Sequence, residues 1–240
     1  MTKLSVNINK IATIRNSRGG DMPNIVDTAV NAERFGAEGI TVHPRPDERH
    51  IRYADVYDLK RVVKSEFNIE GNPIDKFVDM VTDVVPTQVT LVPDAHDAIT
   101  SNNGWDTKAN VDFLTDIISH FHRYGIRTSI FLNPDPETVY YAAKCGVDRI
   151  ELYTEEYANE YRKSPERAIA PYIATAVEAQ NVGLGINAGH DLNLENLQYF
   201  ARTIPGLLEV SIGHALISDA LYFGMENTIQ MYLNKLRCTL

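Results

Sequence analysis

Short β-branched runs alternate along this chain with longer segments whose apolar positions recur at helical spacing. The strand-like runs are Leu4 to Asn9, Gly39 to His43, Asn68 to Glu70, Gln88 to Val92, Arg127 to Leu132, Arg149 to Leu152, Gly183 to Ala188 and Leu208 to Ile212. Between them the pattern predicts helices over Pro23 to Phe35, Tyr53 to Ser65, Pro73 to Val84, Lys108 to Tyr124, Pro136 to Cys145, Pro165 to Asn181, Leu194 to Thr203 and Ala215 to Arg237. Several of these begin with a proline, whose missing N–H is harmless in a first turn, and several stop at Gly36, Gly125, Gly146 or Gly183.

Strands alternating with helices imply parallel pairing through right-handed crossovers. Eight such units in 240 residues match an α/β fold of the (β/α)8 TIM barrel type, about 250 residues in typical size, as a single domain over 1-240. A doubly wound open sheet usually has fewer strands, and its Gly-rich fingerprint after the first strand is absent here. Two connections are longer than the rest, Pro93 to Thr107 and Tyr153 to Ser164. Both fall after strands, on the side where barrel active sites are built, and are candidate substrate-covering loops.

In a barrel the C-terminal ends of the strands share one mouth. Those ends carry Asn7 and Asn9, His43, Glu70, Glu151, Asn187 with His190, and His214, while the fourth strand leads to Thr100. Three histidines and two carboxylates on one side point to proton transfer. The loop after the second strand, Pro44 to His50, adds Arg45 and His50, which bind anions by charge-assisted hydrogen bonds. Asn187-Ala188-Gly189-His190 and Ile212-Gly213-His214-Ala215 stand where many barrels bind phosphate on backbone N–H groups and a helix dipole. A metal site made by His43, Glu70 and His190 ranks lower, because the usual ligand spacings are missing. His120 and His122 read as helix-surface residues near a helix C-terminus.

Net charge is −9 and the pI near 5.2, which disfavours a nucleic-acid partner. Local basic residues such as Arg15 and Arg18 can still hold a small phosphate. The two cysteines, Cys145 and Cys238, have no metal-like or redox spacing, and Cys145 reads as a helix-end packing residue. The first residues, MTKLSVNIN, lack a signal-peptide run, and no stretch has the length and hydrophobicity of a membrane span. A soluble, cytoplasmic protein is the expectation.

Over nearly its whole length the chain resembles the pyridoxine 5'-phosphate synthase family of vitamin B6 biosynthesis. The resemblance rests on Val6-Asn7-Ile8-Asn9-Lys10-Ile11-Ala12-Thr13-Ile14-Arg15-Asn16-Ser17-Arg18-Gly19, on Gly36 to His43 with Arg45 and His50, and on Asn68-Ile69-Glu70, Leu91-Val92-Pro93, Asn187 to His190 and Ile212 to Ala215. It implies a transferase that condenses 3-amino-2-oxopropyl phosphate with 1-deoxy-D-xylulose 5-phosphate, closing the ring of pyridoxine 5'-phosphate and releasing phosphate and water, with no metal or organic cofactor. It also implies a homo-oligomer, an octamer; the sequence by itself offers only the helix-surface apolar residues Tyr140, Tyr141, Tyr222 and Phe223, which fit the core equally well. By resemblance His43 and Glu70 are proton acceptors and His190 a proton donor. Asn7, Arg18, Gly213 and His214 hold the amino-ketone phosphate; Asn9, Lys10, Arg45, His50 and Thr100 hold the deoxyxylulose phosphate.

The chain departs from the family pattern in two places: Asn9-Lys10 stands where many members have Asp-His, and Asp191 follows His190 where glycine is frequent. A carboxylate beside a phosphate is unfavourable, so Asp191, if it lies at a substrate, has to point away or pair with a cation such as Lys10 or an arginine. The competing readings are another phosphate-binding barrel, either an isomerase or an aldolase with Lys10 as its Schiff-base lysine, and a non-enzymatic metabolite sensor or scaffold.

Overall fold

The computed structural model describes residues 1–93 and 103–237. Within them run eight strands, β1 (Lys3–Asn7), β2 (Gly39–Val42), β3 (Glu66–Gly71), β4 (Gln88–Leu91), β5 (Arg127–Leu132), β6 (Arg149–Tyr153), β7 (Gly185–Gly189) and β8 (Leu207–Ile212). Each pairs in parallel with the next, and β8 returns to β1 with Leu4 opposite Val210 and Val6 opposite Ile212, closing the barrel. The described helices are α1 (Asn9–Asn16), α2 (Ile25–Arg34), α3 (Tyr53–Val62), α4 (Asp75–Val84), α5 (Val111–Arg123), α6 (Pro136–Lys144), α7 (Glu155–Tyr161), α8 (Pro165–Asn181), α9 (Leu197–Thr203), α10 (His214–Phe223) and α11 (Met225–Arg237). None is long and apolar enough to cross a membrane.

The punctuation has local causes. Gly36, Gly125, Gly146 and Gly183 follow their helices at positive φ, turning the chain toward the next strand. Asn24 and Asp135 cap α2 and α6 by accepting from Asp27 N and Glu137 N, and Pro136 opens α6. The first predicted strand ends two residues early, because Asn9 already begins α1. The seventh starts at Gly185, since Gly183 belongs to the turn. The segment expected as one helix over Ala215 to Arg237 is broken at Gly224, whose φ of 76° is not helical. The second long connection is largely the helix α7, held down by the buried Tyr157, whose hydroxyl donates to Asn196 O at 2.7 Å.

Strand alternation sorts the side chains into two layers. Leu4, Val6, Ile40, Val42, Ile69, Val89, Ile130, Ile150 and Ile212 are wholly buried in the apolar core shared with the helices, each contributing about 1.5–3 kcal/mol. The alternate positions face the barrel interior and most of them are polar, Phe131 of β5 being an apolar exception, where many TIM barrels carry bulky branched residues. Ser5 Oγ lies 2.7 Å from Thr41 Oγ1, and Thr90 Oγ1 donates to Asn68 Oδ1 at 3.0 Å. Asn187 is spent in this layer, accepting from Arg149 Nη1 at 3.3 Å. Toward the strand starts, Glu66 pairs with Arg127 and Arg149, and Arg149 also lies 4.0 Å from Glu209. Burial pushes the Glu209 carboxyl up, Glu151 adds to the shift, and Arg149, Arg127 and Lys3 oppose it.

Candidate active site

A cavity of about 580 Å³ opens at the C-terminal ends of the strands. Asn7, Asn9, Lys10, His43, Arg45 and His50 line one part of it, and Glu70, His190, Asp191, Gly213 and His214 also line it. Two predicted residues are not brought there by the described chain. Arg18 is exposed in the turn that follows α1, because the helix ends at Asn16 and carries the next residues outward. Thr100 lies outside the described residues, as do His96 and Cys238. Cys145 is a buried packing residue at the end of α6, its thiol donating to Tyr141 O at 3.3 Å. His120 and His122 lie in the last turn of α5.

The turn from β1 into α1 builds the first part of the site. Asn7 Oδ1 accepts from Asn9 N at 3.1 Å, and Asn7 Nδ2 donates to Glu70 Oε2 at 3.4 Å. Asn9 Oδ1 in turn accepts from His43 N at 2.9 Å. An aspartate would accept that same bond, so the Asn9 departure from the family pattern preserves the contact. His43 is 5% exposed. Burial first, then the charges of Arg45, His50, Arg49 and His190, hold its imidazole well below the usual range. It is therefore neutral at pH 7 and able to take a proton, and its 3.9 Å approach to Glu70 is not then an ion pair.

The loop after β2 brings Arg45 and His50 against Lys10. His50 Nδ1 accepts from Ile51 N at 2.9 Å, so the neutral ring carries its proton on Nε2. Burial, followed by Arg45, Lys10 and Arg49, lowers its pKa to about 4. His50 is thus a neutral donor rather than a charge. Arg15, an expected anion binder, is 2% exposed and fully engaged: it grips both oxygens of Asp55 at 2.6 and 2.9 Å and donates to His50 O at 3.1 Å. Asn16 Nδ2 also donates to His50 O, at 2.8 Å. These two residues escaped the sequence reading as loop anchors, since their partners lie more than thirty positions away.

Next to Asn7, Gly213 precedes α10 and lets the β8–α10 turn approach β1; a Cβ there would sit 3.1 Å from Asn7 Cβ. The unpaired N–H groups and dipole of a ten-residue helix open onto the cavity at His214 and Ala215, a ready anion site. His43, Glu70 and His190 line the same cavity. His190 has φ 81°, stacks edge-on to Tyr153 at 5.3 Å, and bonds Asp191 Oδ2 through Nδ1 at 2.7 Å. The partner of the Asp191 carboxylate is thus its own neighbour, the His190 imidazole, rather than Lys10 or an arginine. Glu151, 3% exposed, also lines the cavity; burial pushes its carboxyl up while His190 pulls it down. Its position at the end of β6 was legible, but not its protonation, which depends on burial. Among the described residues no group of three His, Cys, Asp or Glu side chains is arranged to hold a metal ion.

The model of the family described as pyridoxal phosphate biosynthesis protein PdxJ matches residues 4–238. The pyridoxine 5'-phosphate synthase of Bacteroides thetaiotaomicron is 63% identical over 237 residues, which cover 99% of this chain and 100% of that protein. That of Cytophaga hutchinsonii is 62% identical with the same coverage. Among solved structures, phosphoribosyl anthranilate isomerase from Thermotoga maritima matches with a TM-score of 0.61 at 12% identity over 99% of each chain. Thiamine phosphate pyrophosphorylase from Pyrococcus furiosus matches at 0.62 and 11%, over 98% of this chain and 95% of its own. At such identities these two share the fold alone.

Proposed function

The chain belongs to the PdxJ family of pyridoxal phosphate biosynthesis proteins, and from that premise we propose that it is a pyridoxine 5'-phosphate synthase. It condenses 3-amino-2-oxopropyl phosphate with 1-deoxy-D-xylulose 5-phosphate and releases inorganic phosphate and water. One observation supports the reading: a single cavity is lined by His43, Glu70 and His190 together with Lys10, Arg45, His50, Gly213 and His214. Imine formation, phosphate elimination, ring closure and dehydration each move a proton at a different atom, and several positioned groups meet that need.

His43, kept neutral by burial, accepts protons, and Glu70, steadied by Asn7, does the same on the opposite side of its 3.9 Å contact. His190 donates to a leaving oxygen. The start of α10 with Gly213 and His214 holds one phosphate, beside Asn7. Lys10, Arg45 and the Nε2–H of His50 hold the other, with Asn9 acting through the His43 backbone. The protein is cytoplasmic and works without a nucleic-acid or membrane partner.

Phosphate release on mixing the purified protein with both substrates tests the reading. Release that requires both, with pyridoxine 5'-phosphate identified by mass, is the expected result; binding of either substrate without turnover would favour the sensor reading. The homo-oligomer, an octamer, is supported by large apolar side chains left in water: Leu221 is 72% exposed and Tyr222 and Met22 each 85%. Tyr222→Asp is expected to lower the mass measured by light scattering, and an unchanged mass would exclude this face from the interface.

A further inference from the structure

We propose that Asp191 is a positioning residue for His190, fixing the tautomer and orientation of the imidazole that donates the proton, and not a contact to substrate. The inference rests on the synthase reading for the role of His190, and on geometry for the rest.

Adjacent side chains ordinarily diverge. Here they meet because the backbone folds at His190: its φ is 81°, and Asp191 N donates to Gly189 O at 3.3 Å across it, a γ-turn with a positive central φ. A histidine in that conformation persists only where its surroundings impose it. Thr154, wholly buried where β6 passes into α7, supplies one restraint: its hydroxyl donates to Gly189 O and accepts from Asp191 N at 3.2 Å. Asn196 Nδ2 donates to Asp191 O at 3.3 Å. Gly189 completes the turn, since a Cβ there would collide with the Ser211 carbonyl and the Glu151 carboxylate. The backbone of Asp191 is therefore held from two elements, and its carboxylate is delivered to His190 Nδ1 at 2.7 Å.

A carboxylate only accepts, so Nδ1 carries the hydrogen and Nε2 is the nitrogen that exchanges protons. The arrangement is that of the His–Asp pair in hydrolase triads, in which the carboxylate orients the ring and stabilises the imidazolium without itself taking the proton. Among the described residues, Tyr153 and Glu151 from β6 and His43 after β2 also lie near the ring. An unpaired Asp191 would repel a substrate phosphate. Engaged with His190, it leaves the anion ends of the cavity to Lys10, Arg45 and the α10 start.

The test combines side-chain 15N NMR of His190 with steady-state kinetics on the wild type, Asp191→Ala, Asp191→Asn and Asp191→Glu. In the wild type Nδ1 is expected to show the protonated-type shift. In Asp191→Ala the ring is expected to move toward the Nε2–H form, with kcat down about 10- to 100-fold, part of what a positioned acid–base group supplies, and KM for each substrate within about 2-fold. Asp191→Asn, whose Oδ1 still accepts from Nδ1–H, is expected to keep the tautomer but lose part of kcat, and Asp191→Glu to recover part of it. An unchanged tautomer in Asp191→Ala overturns the proposal. So does a raised KM at constant kcat, which would make Asp191 a substrate contact. Should Asp191→Ala fail to fold, a wild-type kcat in Asp191→Asn overturns the charge role. The tautomer is read without turnover, so a wild type that makes no product fails the synthase reading while leaving the Asp191 result standing.

Discussion

Glu70→Gln is expected to lower kcat by about 10²–10⁴-fold, the usual worth of a positioned acid–base group, while KM for both substrates stays within about 3-fold. Glutamine matches the carboxylate in shape, and its amide oxygen can still accept from Asn7 Nδ2, the bond that measures 3.4 Å to Glu70 Oε2. What it loses is the capacity to take a proton. His43, 3.9 Å away, cannot stand in fully, because burial first, and then the nearby Arg45 and Arg49, already hold its pKa well down and weaken it as a base. Initial rates of phosphate release at saturating substrate, with KM from the same titrations, check this. A drop below about 5-fold would mean that His43 and His190 carry the proton transfers and that Glu70 serves to hold Asn7.

How much of this site was legible depends on how far apart its partners lie. The strand ends could be read because strand-like runs recurred eight times, most of them ending at or beside a polar side chain, and a closed parallel barrel brings such ends together whatever the intervening helices do. That is why the sequence could place His43, Glu70, His190 and His214 at one mouth, where they line a common cavity. The helices α1 and α7 were missed for a physical reason: each is short, eight and seven residues, with no side-chain cap bond at its start. The tertiary contacts of Ile11 and Ala12 in α1 and of Tyr157 in α7 stabilise them instead. The roles of Asn9 and Asp191 turned on single hydrogen bonds to His43 N and His190 Nδ1. Neither residue type dictates such a bond, and only the folded turn selects it. The polar barrel interior follows the same rule: alternation marks the inward positions, but the pairing of Glu66 with Arg127 and Arg149 belongs to strand register.

Arg15 shows this most clearly, because the sequence left it available to a small phosphate and the fold gives it to Asp55. Arg15→Met is expected to lower stability by about 3–5 kcal/mol, the cost of breaking a buried ion pair from one side. In a chain of this size that is roughly 10 °C in Tm. The guanidinium is 2% exposed and the Asp55 side chain 14%, and their two hydrogen bonds form the bidentate fork of a charge-assisted pair. Without it the Asp55 carboxylate keeps the Arg52 N–H at 2.7 Å but no matching charge at that distance. The same substitution releases one of the two side-chain bonds on His50 O, so KM for the substrate whose phosphate meets His50 and Arg45 is expected to rise. Arg15→Met with Asp55→Leu removes both charges and is expected to restore much of the lost Tm but not the KM. Thermal melts of the single and double variants, with KM measured on each, separate the two effects. A single variant as stable as the wild type would show that Asp55 finds another partner, and a KM that recovered with Tm would show that His50 is held by overall stability rather than by Arg15.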